Sequence, residues 1–239
     1  MKRLIMGPRA VTEAVRAAAD DISAVFIGQG MAKGLSQLTD AARRSKLTLE
    51  VRSNRELDMM AKGARHQGVI AVTGAYSYWS FDELVASLPP NPLVVALDEI
   101  TDPHNFGAIV RSAVAFGAAG LITLKQRAAP VTPVVVRASA GATEHAKIAR
   151  VTNLVNALSQ LRDRDFEVIG LAGEATQDLQ TVSRTEGGRV LVVGSEGRGL
   201  RRLVREHCTS LVRIPMAGPI ESLNASVASA VALYELTRS

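Results

Sequence analysis

Hydrophobic positions along this chain switch between helical and strand spacing, and the switching divides it in two. Residues 8–19 have helical spacing, with Pro8 in a first-turn position and Val11 and Val15 four apart. Residues 22–28 form a β-branched run closed by Gly28-Gln29-Gly30. The pattern then predicts a helix over 34–44, a strand over 47–51, a capped helix over 54–62 and a strand over 69–74. Together these predict a small α/β domain over residues 1–75. Residues 76–81 concentrate four of the nine aromatics, and a short helix is predicted over 82–88. Pro89-Pro90-Asn91-Pro92 follows; three prolines in four positions suit neither a helix nor a central strand. Residues 76–91 therefore read as a linker, with the aromatics packed in it rather than stacking on bases.

Longer elements follow Pro92. Strands are predicted at 93–97, 120–124, 147–151, 167–172 and 190–194. Helices are predicted near 106–116, at 134–140, from a Thr152 cap to about 162, and at 200–207 and 223–236. Continuous apolar strands between helices indicate a mostly parallel sheet covered on both faces, so residues 92–239 read as one α/β domain. Ligands of such sheets sit at the carboxyl ends of strands, which directs attention to the loops after Leu97, Leu124, Gly194 and Ile214.

Composition narrows the function. The 239 residues are 47% hydrophobic and 21% charged, which fits a folded chain. Residues 1–10 lack a basic segment leading into an apolar one, and no uncharged stretch is long enough to span a bilayer. One cysteine, Cys208, excludes an internal disulfide and a multi-cysteine zinc site, and the four histidines lack metal-ligand spacing. These features point to a soluble cytoplasmic protein without a structural metal. Residues 1–75 carry 12 Lys/Arg against 7 Asp/Glu, while the rest carry 16 of each, so the whole +5 excess lies in the first domain. Arginine supplies 22 of the 28 basic residues; its planar fork suits phosphates and bases, although a GC-rich genome produces the same bias.

Familiar phosphate motifs are absent or imperfect. No P-loop occurs, and in Gly28-Gln29-Gly30-Met31-Ala32-Lys33-Gly34 the last glycine is one residue late for a dinucleotide fingerprint. Three other loops stand out. Asn105-Phe106-Gly107-Ala108-Ile109-Val110-Arg111-Ser112-Ala113 places Asn105 as a candidate helix cap and Arg111 farther along the helix. Gly194-Ser195-Glu196-Gly197-Arg198-Gly199 combines close-approach glycines with one carboxylate. Ile214-Pro215-Met216 precedes Ser222-Leu223-Asn224-Ala225-Ser226, where small residues permit tight packing.

In order and spacing these loops resemble the three motifs of the SPOUT-class RNA ribose 2′-O-methyltransferases. The start of the chain, with Gly7-Pro8-Arg9-Ala10-Val11, is similar to the L30e-like RNA-binding domain of one branch. That branch is the bacterial 23S rRNA guanosine-2′-O-methyltransferases, which act on the peptidyl-transferase P loop; residues 150–154 and 201–208 also resemble it. The resemblance implies an L30e-like domain at 1–75 and a methyltransferase domain at 92–239 tied in a trefoil knot, an exception to unthreaded topology. It implies a homodimer, and a 23S rRNA or large-subunit precursor as partner, with no membrane or DNA partner. It places S-adenosyl-L-methionine among Leu124, Gly194, Glu196, Gly199, Ile214, Met216 and Leu223. Arg9, Arg43, Arg44 and Arg65 become the expected RNA contacts.

The same resemblance assigns Arg111 to the ribose hydroxyl. A guanidinium with a pKa above about 12 is a poor base, so Arg111 is expected to stabilise the forming alkoxide or clamp the adjacent phosphate. Asn105 and Asn224 would orient substrate and backbone, Glu196 would hold Arg111 or its own loop, and Ser222 would cap the last helix and touch the site. Structural alternatives stand beside these. Asn105 and Ser222 can be caps only, Glu196 can pair with Arg198, and Arg201, Arg202 and Arg205 can form a solvated helix face. Two function classes also compete: an RNA methyltransferase, acting on rRNA or tRNA, and an RNA-binding assembly factor without turnover.

Overall fold

The computed structural model describes residues 2–182, 186–219 and 222–238. The first third forms β1 (Arg3–Met6), α1 (Pro8–Ala18), β2 (Ile22–Gly28), α2 (Ser36–Arg44), β3 (Leu49–Arg52), α3 (Asn54–Ala61) and β4 (Val69–Thr73). Its sheet runs β1-β4-β2-β3, with β2 and β3 parallel and the other pairs antiparallel. β1 has no counterpart in the sequence reading, since four residues before Gly7 are too few for an alternation to register. Its partner is β4, distant in the chain. Ser53 and Glu56 close a capping box on α3, and the hydrogen bonds from Ser53 hold the Glu56 carboxyl below its ordinary pKa.

Packing groups Met1–Ser77 with Val131–His145 as one compact unit, and Tyr78–Pro130 with Ala146–Ser239 as the other. The continuous boundaries read from the sequence place 131–145 in the second domain instead. Within the first unit, Arg3 donates two hydrogen bonds to Glu144 at 3.0 and 2.8 Å, and His145 pairs with Glu13 at 2.9 Å. Tyr76 donates its hydroxyl to the Thr143 carbonyl at 3.1 Å. Gly141, at φ +87°, lies so near α1 that an added Cβ would be 2.9 Å from Ala10 Cα. A segment that packs back on an earlier domain leaves no trace in local periodicity.

The remaining elements are α4 (Phe81–Ala86), β5 (Leu93–Asp98), α5 (Pro103–Ala115), β6 (Gly120–Leu124), α6 (Pro133–Ala138, in the first unit), β7 (Ile148–Val151) and α7 (Leu154–Arg162). They continue with β8 (Glu167–Leu171), β9 (Gln177–Asp178), β10 (Arg189–Gly194), α8 (Arg202–Glu206), β11 (Ser210–Arg213) and α9 (Ala225–Thr237). The seven strands of the second unit pair in the order β7-β6-β5-β10-β8-β11-β9, and every pairing is parallel. This α/β sheet agrees with the apolar runs; β5 is buried at all six positions. β9, two residues long, escapes the sequence reading, and the half-polar β11 enters it only through the loop after Ile214. The aromatic stretch is packed: the backbone N–H of Trp79 donates to Ile148 O at 3.0 Å, and Lys147 stands 5.1 Å from the Trp79 ring.

Three caps differ from expectation. Asp102, followed by Pro103 at the first helical position, caps α5 in place of Asn105, which falls inside the first turn. Asn153, not Thr152, caps α7, and Asn224, not Ser222, caps α9. In each case the residue whose side chain reaches a free backbone N–H of the first turn is the cap.

Candidate active site

A cavity of about 970 Å³ opens at the carboxyl ends of β8, β10 and β11. It is lined by residues 171–174, 193–200, 212–214 and 216, by 222–225 and Ala228 at the start of α9, and by Arg205. Its volume lies in the range of small-molecule and cofactor sites, and its position is the one parallel sheets reserve for ligands.

The β10–α8 loop forms one wall and requires glycine where it starts. A Cβ on Gly194 would lie 2.2 Å from Gly199 C, 2.3 Å from Gly199 O and 2.5 Å from Leu200 N. All three are backbone atoms, so the loop closes directly over its own first residue. Gly199 N–H donates to Ser195 O at 2.9 Å, and Gly197 and Gly199 take φ of +78° and +64°. The turn presents Glu196 to α9. Asn224 accepts from the Ser226 and Val227 N–H groups through Oδ1. Its Nδ2 donates to Asn105 Oδ1 at 2.9 Å and to Glu196 Oε1, which also accepts from Ala225 N–H. One side chain from each of the three motif loops therefore meets at Asn224. Asn105 is buried because α5 packs on α9.

Of the residues singled out in the sequence, Gly194, Glu196, Gly199, Ile214, Met216, Ser222, Leu223 and Asn224 line the cavity. Leu124 does not: it ends β6, separated from β10 by β5, with its side chain in the core. Arg111 is exposed on α5, outside the cavity lining of its own chain, and has no ion-pair or hydrogen-bond partner among the described residues. Glu196 engages Asn224 rather than Arg198. Arg9, Arg43, Arg44 and Arg65 are all exposed on the first unit, Arg43 in a loose 3.6 Å pair with Asp40. Among the described residues no cluster of three or more His, Cys, Asp or Glu could hold a metal, and no helix is long and apolar enough to cross a membrane.

Sequence reasoning missed two ion pairs near the site. Arg205 pairs with Glu174 across the cavity wall, and Arg201 turns inward onto Asp98, while Arg202 alone keeps the solvated position expected of all three. Asp98 had a signal: it is a carboxylate closing an otherwise apolar strand, and it is completely buried. A buried charge of that kind demands a partner.

Residues 92–234 match the SpoU rRNA Methylase family model, and residues 4–79 match the model for RNA 2′-O ribose methyltransferase substrate binding. The chain is 41% identical over 238 residues to the 23S rRNA (guanosine-2′-O-)-methyltransferase RlmB of Xanthomonas campestris, covering 98% of this chain and 95% of that one. It is 38% identical, with the same coverage, to RlmB of Pseudomonas putida. Among solved structures, the SpoU methyltransferase AviRb from Streptomyces viridochromogenes, crystallised with AdoMet, superposes with a TM-score of 0.79 at 27% identity, covering 99% of this chain and 90% of that one. A family model over more than half of the chain and full-length relatives at 38% and 41% identity show an RNA methyltransferase, and the chain belongs to the SpoU rRNA methylase family.

Proposed function

We propose that this enzyme transfers the methyl group of S-adenosyl-L-methionine to the 2′-oxygen of a guanosine ribose in 23S rRNA, within the peptidyl-transferase P loop. The observation that carries the reading is the meeting of Asn105, Glu196 and Asn224 beside the cavity. The rRNA target is supported by the names of full-length relatives and by the four exposed arginines of the first unit.

The cavity fits the cofactor. Val193, Leu200, Ile214, Met216 and Leu223 supply apolar walls for an adenine, and the glycine-rich loop supplies backbone hydrogen-bonding groups. When bound, S-adenosylmethionine supplies a methyl group on a sulfonium, already a good leaving group. The protein must then orient the ribose oxygen and ease loss of its proton. Glu196 and Asn224 hold the wall in place. Arg111 stabilises the forming alkoxide or grips the neighbouring phosphate, as its guanidinium cannot act as the base.

Arg111 does not line the cavity of its own chain, so a second chain or the bound RNA must complete the site. A homodimer is the partner we propose. Along α9, Val227, Val231 and Tyr234 stand 48%, 39% and 54% exposed at helical spacing, an apolar stripe suited to a second copy. The trefoil knot and the cytoplasmic location implied by the resemblance belong to the same proposal. Mapping 2′-O-methyl groups in total RNA after deletion of the gene tests the substrate. One unmethylated guanosine in 23S rRNA is expected, and a loss confined to tRNA would refute the rRNA assignment.

A further inference from the structure

The β10–α8 loop starts and finishes on the same residue. Gly194 pairs with Asp98 in the β10–β5 ladder. Seven residues later Arg201 returns, donating its backbone N–H to Asp98 Oδ2 at 2.9 Å and its Nε–H to Oδ1 at 2.7 Å. A terminal guanidinium nitrogen lies 2.6 Å from the same Oδ1. The Asp98 side chain is 0% exposed and that of Arg201 35%. Arg201 also stands 3.4 Å from Glu99 Oε1, which lies 2.9 Å from Arg127, so a second carboxylate faces its guanidinium without a hydrogen bond. Desolvating such a carboxylate offsets much of what the ion pair contributes, and an apolar pair would stabilise the fold at least as well. What the charged pair adds is a defined geometry: two donors from one residue meet two oxygens of another.

We propose that Asp98 is a positioning residue for methyl transfer, acting through Arg201 to hold the 195–200 loop closed so that its backbone walls the cavity and Glu196 meets Asn224. Asp98 does not itself line the cavity and meets it only through the Gly194 backbone beside it; its side chain reaches the loop through Arg201 and none of the three motif side chains. The inference rests on the cavity being the cofactor pocket, and its test separates the two.

Full-length wild type, Asp98→Asn, Arg201→Lys and Arg201→Gln are compared for S-adenosylhomocysteine affinity, single-turnover methylation, amide exchange and melting temperature. In Asp98→Asn the shape is kept, but the charge is lost and an NH2 can face the Arg201 donors. The dissociation constant is expected to rise about tenfold, the equivalent of one charge-assisted hydrogen bond. Amide exchange should quicken in 195–200 and not in the core of β10. Arg201→Lys should recover part of what Arg201→Gln loses. The arginine variants keep the measurement decisive if Asp98→Asn does not fold, because Arg201 reaches the surface. A melting temperature that falls while affinity and loop exchange stay at wild-type values, measured well below melting, overturns the positioning role. Wild-type protein that binds no S-adenosylhomocysteine overturns the cofactor pocket, and the positioning role with it.

Discussion

Replacing Gly194 by alanine tests whether closure of the β10–α8 loop builds the cofactor wall. The new methyl would lie 2.2–2.5 Å from backbone atoms of Gly199 and Leu200, where ordinary contact begins at 3.4 Å. The loop must therefore retreat by about 1.2 Å, and no side chain can turn aside to absorb it. Overpacking of this kind costs about 1–3 kcal/mol. At about 2–4 °C per kcal/mol for a chain of this size, melting should fall by about 2–12 °C. The retreat also carries Glu196 away from Asn224, and a displacement near 1 Å at a reacting site costs about 10²-fold in rate. Gly197→Ala is the control. Gly197 has φ +78° and nothing within 4 Å of its added Cβ, so the substitution brings backbone strain of about 1–2 kcal/mol without moving the wall. Calorimetric titration with S-adenosylhomocysteine, single-turnover methylation and thermal melting on both variants decide the matter. Gly194→Ala with wild-type cofactor affinity and turnover would refute the reasoning, as would equal losses of affinity in the two variants.

Arg111→Ala should lower single-turnover methylation about 10²–10³-fold while cofactor affinity stays within about twofold, since Arg111 lies outside the cavity; near-wild-type turnover would sink its assigned role. Converting Arg9, Arg43, Arg44 and Arg65 together to glutamine should reduce the slope of log K against log salt by about 3 if each meets a phosphate, and an unchanged slope moves the RNA surface elsewhere. Val231→Asp places a charge in the exposed stripe of α9 and should give a monomer by sedimentation equilibrium; a dimer of unchanged affinity rejects that face as the interface. Burial pushes the Cys208 thiol up to about 12 from an ordinary 9.0. The thiol is neutral in both states below pH 9, ionises first in the unfolded chain, and so subtracts stability as pH rises from about 9 to about 12. At pH 8 a thiol reagent should label Cys208 far more slowly than a free cysteine, because little of this partly buried thiol is thiolate, and labelling at the rate of an exposed thiol contradicts this.

The sequence by itself determined the alternation of elements, the parallel α/β character of the second domain and the three loops that matter. Each depends on short-range information. A fully buried strand such as β5 must be apolar throughout, and a loop that folds over its own start must have glycine at Gly194. Tertiary structure decided the rest. Asp102, Asn153 and Asn224 are caps because of where their side chains reach, which composition at neighbouring positions does not specify. Asn105, Glu196 and Asn224 lie up to 119 residues apart, and only the packing of α5 on α9 beside the β10 loop brings them within hydrogen-bonding distance. Arg201 reads as one of a row of surface arginines until the ladder puts Asp98, a buried carboxylate, beneath it. Val131–His145 joins the first unit through Glu144, His145 and Thr143, whose partners Arg3, Glu13 and Tyr76 precede the first strand of the parallel sheet. Periodicity records which face of an element is buried. It holds no information about which distant polar group waits on the other side.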